Sequence, residues 1–253
     1  MIVKRKSMVR VVLAALVLLA MTAPIARAQN HTGPDYVSSK NLDLIDRIKT
    51  VGDGVGAKLL GDYLYVTSTK SLDIFDIKTD PEHPRQVGLE TLDVEFENEE
   101  VPTNGKILGI SGQIGCKDPL SANALNPAWD TGSETSTTGC LTLYDVSNPA
   151  AVREYTSVSG AGNHTSACVF DCTWFMGSTG AVTDARDPAN AKLVGNWQMG
   201  LPGGPDYFKN GCHHLREIQP GMLLASCQPI VLLSVRAEDG GSPLKPVVIA
   251  SGT

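Results

Sequence analysis

Glu97, His164 and His213 are the residues of this chain whose types together suit a divalent metal ion, because one carboxylate and two imidazoles form a ligand set that first-row metals accept. They lie far apart in sequence, so they meet only if a repeating element sets each at the same place in the fold. Glu99 stands close by as a base for chemistry at such an ion, with Asn98 and His214 as further polar neighbours. His213 and His214 are adjacent, and on a strand they point to opposite faces, so at most one is expected to face a common axis. The same residue types at strand starts also cap backbone donors or bond across neighbouring elements. Other chemistry is missing: there is no G-x-S-x-G elbow and no H-E-x-x-H pair. "VGDGVGAKLLG" (Val51 to Gly61) lacks the Lys-Ser/Thr ending of a phosphate loop and leads into a strand. No catalytic residue and no organic cofactor loop is assigned.

The elements that would position these residues are read from a skeleton that recurs. "LDIFDIKTDPEHPRQVG" (Leu72 to Gly88), "LYDVSNPAAVREY" from Leu143 and "VTDARDPANAKLVGNW" from Val182 each run as an apolar strand, an aspartate (Asp76, Asp145, Asp184), an Asp-Pro or Asn-Pro turn, and a second strand. A hairpin precedes each copy. It turns at Gly61-Asp62 in "AKLLGDYLYVTST", at Asn104-Gly105 in "EVPTNGKILGIS" and around Phe170-Asp171 in "SACVFDCTWFMGS". A fourth hairpin, "LREIQPGMLLASC", turns at Pro220-Gly221 and continues as "IVLLSVRAEDGGSPLKPVVIA", with Ser234 at the aspartate position. Each unit is four short strands, and almost no segment shows a sustained helical apolar period. A single four-stranded sheet cannot bury both faces, so units of this size stack around an axis as propeller blades. The expectation is an all-β β-propeller of four-stranded blades, with about four present, over approximately 52–92, 93–160, 161–200 and 208–250. An open sandwich would explain short strands but not the return of the same turn chemistry.

Aligning the four hairpins puts Gly54, Glu97, His164 and His213 in one column, at the start of each innermost strand. That is the geometric basis for the ligand set above. "LDLIDRI" (Leu42 to Ile48) reads as an outermost strand with no blade of its own, which suggests a propeller whose remaining blades are missing from this chain, or one that self-associates through open edges. Trp197 is expected to pack between blades, and Trp129 to cover its own loop or touch a ligand.

"YLYVTSTKSLDIFDIKTDPEHPRQVG" and "LTLYDVSNPAAVREY" resemble the LVIVD repeat of exported bacterial β-propeller proteins, over most of Gly52 to Ala250 and most weakly in the last unit. The resemblance implies a propeller in which the aspartate and the Pro turn are structural. It brings no established reaction.

Six cysteines, an even number, suggest three disulfides in an exported chain. Cys168 and Cys172 lie symmetrically about the third hairpin turn, and Cys212 and Cys227 about the fourth, which suits opposed positions on paired strands. Cys116 and Cys140 bracket an insertion, and a bond there closes a loop of about 25 residues, worth roughly 3 kcal/mol on the chain-entropy model. The pairing is therefore 116–140, 168–172 and 212–227. Zinc-finger ligation is disfavoured because no second Cys pair has the spacing.

Residues 1–28 read as a signal peptide: Lys4, Arg5, Lys6 and Arg10 precede "VVLAALVLLAM", and Ala26-Arg27-Ala28 offers a cleavage site. The apolar run is short for a membrane span. Removing it takes five of the 21 basic residues and leaves 16 against 27 acidic ones, a net of −11 for 29–253. That argues against nucleic acid and against anionic membrane surfaces. The leading expectation is a secreted or periplasmic, non-catalytic binding or scaffold propeller whose partner is a cell-surface or extracellular protein or a glycan, with no membrane insertion after cleavage. The alternative is a metal-dependent hydrolase or lyase at the axial channel mouth.

Overall fold

The computed structural model describes residues 41, 44–92, 99–112, 116, 139–162, 164–208 and 211–252. Residues 1–28, read above as a signal peptide, Glu97, Asn98, most of the 117–139 insertion and Trp129 lie outside the described residues. Ile48–Thr253 forms one compact unit, and the architecture below is that unit's.

Among its described residues the regular structure is β-strand, interrupted only by short 3-10 turns. The first sheet is antiparallel in chain order: β1 (Gly54–Leu60), β2 (Tyr63–Ser68), β3 (Ser71–Asp76) and β4 (Arg85–Thr91). The second holds β5 (Ile107–Gly112), β6 (Cys140–Asp145) and β7 (Arg153–Ser159). Its inner position is taken by Val101–Thr103, which joins β5 through a Thr103–Leu108 bridge and a 3.0 Å bond from Gly109 N to Pro102 O. The third runs β8 (Ser166–Val169), β9 (Trp174–Gly177), β10 (Ala181–Asp184) and β11 (Lys192–Asn196). The fourth runs β12 (Cys212–Gln219), β13 (Met222–Cys227), β14 (Ile230–Ser234) and β15 (Val247–Gly252).

Strand alternation explains how the sheets stack. Neighbouring residues on a strand face opposite sides, and the buried apolar residues divide accordingly. Tyr144 and Val146 join Leu72 and Ile74 in a core between the first two sheets. Leu141 and Leu143, on the other face of β6, join Phe175 and Ala185 between the second and third. Met176, next to Phe175, turns the opposite way and packs with Leu215, Leu223 and Leu233 between the third and fourth. Each middle sheet thus covers one neighbour with each face, which is the packing of propeller blades and not of two facing layers. Trp197 is fully buried in the last of these cores and donates its indole N–H to Gly177 O at 2.8 Å.

The recurring aspartates act through one device. Asp76, Asp145 and Asp184 each accept the backbone N–H two residues on, from Lys78 (2.8 Å), Ser147 (3.0 Å) and Arg186 (3.2 Å). This side-chain turn ends the third strand of each blade. Each also lies directly opposite a basic residue on the fourth strand, Arg85, Arg153 or Lys192. In the fourth blade the Ser234 hydroxyl accepts from Arg236 N (3.3 Å) and donates to Asp239 (2.6 Å), so a serine borrows the missing carboxylate from further along the chain. The Pro turns that follow do a second job. A Cβ on Gly88 of β4 would stand 2.0 Å from Pro149 O, so the turn of one blade seats on the outer strand of the blade before it.

"LDLIDRI" does not become a strand over its described residues. Residues 44–50 are irregular, and Leu44 and Ile45 are 40% and 50% exposed. Within the sheets, the outermost strand is each sheet's own β4, β7, β11 or β15.

Candidate metal centre

Three inner-strand starts from three blades meet at one end of the stack. The first is Glu99, just before the inner segment of the second blade. His164, two residues ahead of β8, is the next, and His213, second in β12, completes the group. The imidazoles approach to 3.0 Å between Nε2 atoms. Glu99 lies 3.7 Å from His164 Nε2 through Oε1 and 3.7 Å from His213 Nδ1 through Oε2. One ligand atom from each of the three can be chosen so that all lie within 4.8 Å of one another. His164 is the most buried of the trio, its side chain 14% exposed against 37% for Glu99 and 53% for His213.

The local structure holds this arrangement. Thr165 Oγ1 donates to the carbonyl of His213 at 2.8 Å, and Ser178 N donates to Thr165 O at 3.0 Å. The start of β12 is tied to β13 by the Cys212–Cys227 disulfide, whose Cα atoms are 4.0 Å apart. The pairing register shifts between Cys212 and His214, a bulge at His213 that re-aims its side chain. Both imidazoles of the His213-His214 pair therefore meet carboxylates of the second blade. His213 reaches Glu99, and His214 Nε2 lies 2.7 Å from Glu100 Oε2. A regular strand would have sent one of the two away.

The sequence column placed His164 and His213 in this end of the fold. Its acidic member, Glu97, lies outside the described residues, and the carboxylate found beside the rings is Glu99. That position differs from the base role read for Glu99, because a carboxylate 3.7 Å from both rings sits among the ligand atoms.

Deeper between the inner strands is a cavity of about 350 Å³ lined by Lys58, Glu100, Thr103, Asn104, Arg216 and Glu217 among others. It receives residues from every blade. Lys58 Nζ donates to Thr103 O at 2.9 Å, and burial pulls its ammonium below the ordinary lysine range against the opposing pull of Glu100. Glu217 Oε1 accepts from Phe170 N (2.9 Å) and Gly221 N (2.7 Å), joining the turns of the third and fourth blades. Asn104 Nδ2 donates to Asp171 O at 3.0 Å, joining the second to the third.

The six cysteines form 116–140, 168–172 and 212–227 bonds, with none left free. No thiolate is therefore available as a metal ligand, and the candidate set is nitrogen and oxygen only. Such bonds are typical of extracellular proteins. Among the described residues no helix is long and apolar enough to cross a membrane.

Four-stranded antiparallel blades stacked through both faces, with their inner strands around a polar cavity, define a β-propeller-class protein. Within that class, residues 52–89, which span the first blade, match the family model of the LVIVD repeat. No curated protein matches the chain. A structural comparison finds the crystal structure of a functionally unknown protein from Desulfotomaculum acetoxidans DSM 771, at 11% identity and a TM-score of 0.39, covering 81% of this chain and 71% of that one.

Proposed function

We propose that this is an exported, non-catalytic binding or scaffold module that presents the polar cavity among its inner strands to a polar ligand, a cell-surface protein or a glycan. The observation that carries the reading is the cavity of about 350 Å³ to which all four blades contribute, with Lys58 and Arg216 beside Glu100 and Glu217. A few placed polar groups in a concavity are what orients a ligand, and mixed charge suits a neutral or zwitterionic polar group better than a polyanion. Export is supported by the three disulfides and by the basic, apolar and small-residue order of residues 1–28. The test is binding to arrayed glycans and to purified surface proteins of the source organism, comparing the unaltered chain with Lys58→Ala and Arg216→Ala. Binding weakened about tenfold or more by either replacement supports the reading. Equal binding by all three proteins removes it.

A metal-dependent hydrolase or lyase is the second reading, favoured by the Glu99, His164 and His213 cluster. Turnover of ester, phosphoester or glycoside probes that requires added zinc and disappears in His164→Ala would put it first.

A further inference from the structure

We propose that Glu99, His164 and His213 bind one divalent transition-metal ion of the zinc class, and that this ion ties together the strand starts of the second, third and fourth blades. The inference holds for either reading of function.

Three features of the geometry support it. First, the donor set is two imidazole nitrogens and a carboxylate oxygen, which suits zinc and its first-row neighbours and not calcium or magnesium, whose sites are built of oxygen. Second, the spacings fit one ion. Tetrahedral ligands at about 2.0–2.1 Å from zinc stand about 3.3–3.4 Å from each other; the two Nε2 atoms are 3.0 Å apart and Glu99 Oε1 is 3.7 Å from His164 Nε2, which straddle that value. Glu99 approaches His213 at the other ring nitrogen, Nδ1, and one ligand atom from each of the three residues lies within 4.8 Å of the others. Third, the ring nitrogens face one another across a gap that a single shared proton fills for one tautomer, whereas an ion would take a lone pair from both. Three protein ligands leave a further coordination position for water or an incoming group.

Among the described residues, His214 Nε2 lies 2.7 Å from Glu100 Oε2 and joins the fourth blade to the second. Thr165 to His213 links the third and fourth, and no disulfide crosses between blades, since each lies within one blade's own hairpin or insertion. An ion at this place would add a cross-link, and binding only the folded state it would raise stability with its concentration.

The experiment uses the purified mature chain with its disulfides intact and zinc ion as the probe, read by calorimetric titration and by metal content after dialysis. The expected result is one equivalent of zinc, with a zinc-dependent rise in melting temperature that calcium does not reproduce. His164→Ala and His213→Ala should each weaken zinc binding at least tenfold and abolish the rise, and Glu99→Gln should weaken it too. His83→Ala, at an exposed histidine 3.1 Å from Asp80, should change neither. If a histidine variant fails to fold by circular dichroism, X-ray absorption of the zinc-loaded unaltered chain still decides: two imidazoles per ion are expected. Fewer than two, no bound zinc, or unchanged affinity in both histidine variants would overturn the proposal.

Discussion

Asp145 shows how one recurring residue holds a blade together. Its carboxylate accepts from Ser147 Oγ at 2.5 Å, from Ser147 N at 3.0 Å and from Arg153 Nη2 at 2.7 Å, while its side chain is only 9% exposed. The Ser147 hydroxyl, the backbone donor and the guanidinium outweigh burial and hold the carboxyl down at about 2. A carboxyl lowered in the folded state stabilises fully above its unfolded value near 3.8, and that stabilisation is lost as pH falls toward 2. Asp145→Asn is therefore expected to cost up to about 2 kcal/mol near neutrality, and to flatten the fall in stability between about pH 4 and pH 2. Urea titrations at several pH values check this, and an unchanged acid slope in the variant would count against it. The candidate metal ligands were only partly legible at this scale. His164 and His213 stand at a fixed offset from a hairpin turn, and the column of turns located both. Among the acidic residues of "EFENEE" the same count from the Asn104-Gly105 turn picked Glu97, whereas the carboxylate beside the rings is Glu99. The inner segment of the second blade meets its neighbour through a single Thr103–Leu108 bridge and not a full strand, so alternation there could not be carried back to Glu97 or Glu99.

At the scale of the elements, turns were the most legible feature, because glycine is cheap where φ is positive. Gly61, Gly105 and Gly221 all take positive φ at the hairpin turns expected of them. The third turn breaks that rule. Phe170, Asp171 and Cys172 hold φ of 49°, 58° and 60° in succession without a glycine, a conformation that costs each residue about 1 kcal/mol or more. What compensates is distant in sequence: Glu217 accepts from Phe170 N, Asn104 donates to Asp171 O, and the Cys168–Cys172 bond closes the turn. A local reading could locate this turn but not its supports. Glu217→Ala is expected to destabilise by about 1–3 kcal/mol, because it strips the acceptor from two part-buried backbone donors in different blades. Glu217→Gln keeps an acceptor oxygen and should cost less. Denaturant midpoints of the two variants test the order, and equal losses would mean that charge, not the accepting oxygen, is what matters. The fourth blade teaches the complementary lesson. Ser234 looked like a departure from the repeat, yet its hydroxyl works with Asp239 and Arg236 in place of the aspartate. Function at that position had moved, not vanished.

For the whole molecule, the sequence repeat implied stacking, and the stacking explains the order of the cores. Each core lies between consecutive blades, so an apolar side chain stabilises one interface and not the others. Phe175 is the clearest case. Its ring is 1% exposed in the core between the second and third blades, and it lies against Gly109 of β5, where an added Cβ would come within 2.6 Å of the ring. Met176, the next residue, serves the interface on the opposite face. Phe175→Ala should cost about 3–5 kcal/mol as a large-to-small core change. In an array where each unit contacts only its neighbours, that loss is local before it is global. Native-state hydrogen exchange should show the loss of protection concentrated in β5–β7 and β8–β11. The amides of β13 and β14, whose cores rest on Met176, Leu223 and Leu233, should change less. A uniform loss across all four blades would mean that the stack unfolds as one cooperative body, and the nearest-neighbour account of its stability would then fail even though the blades themselves remain.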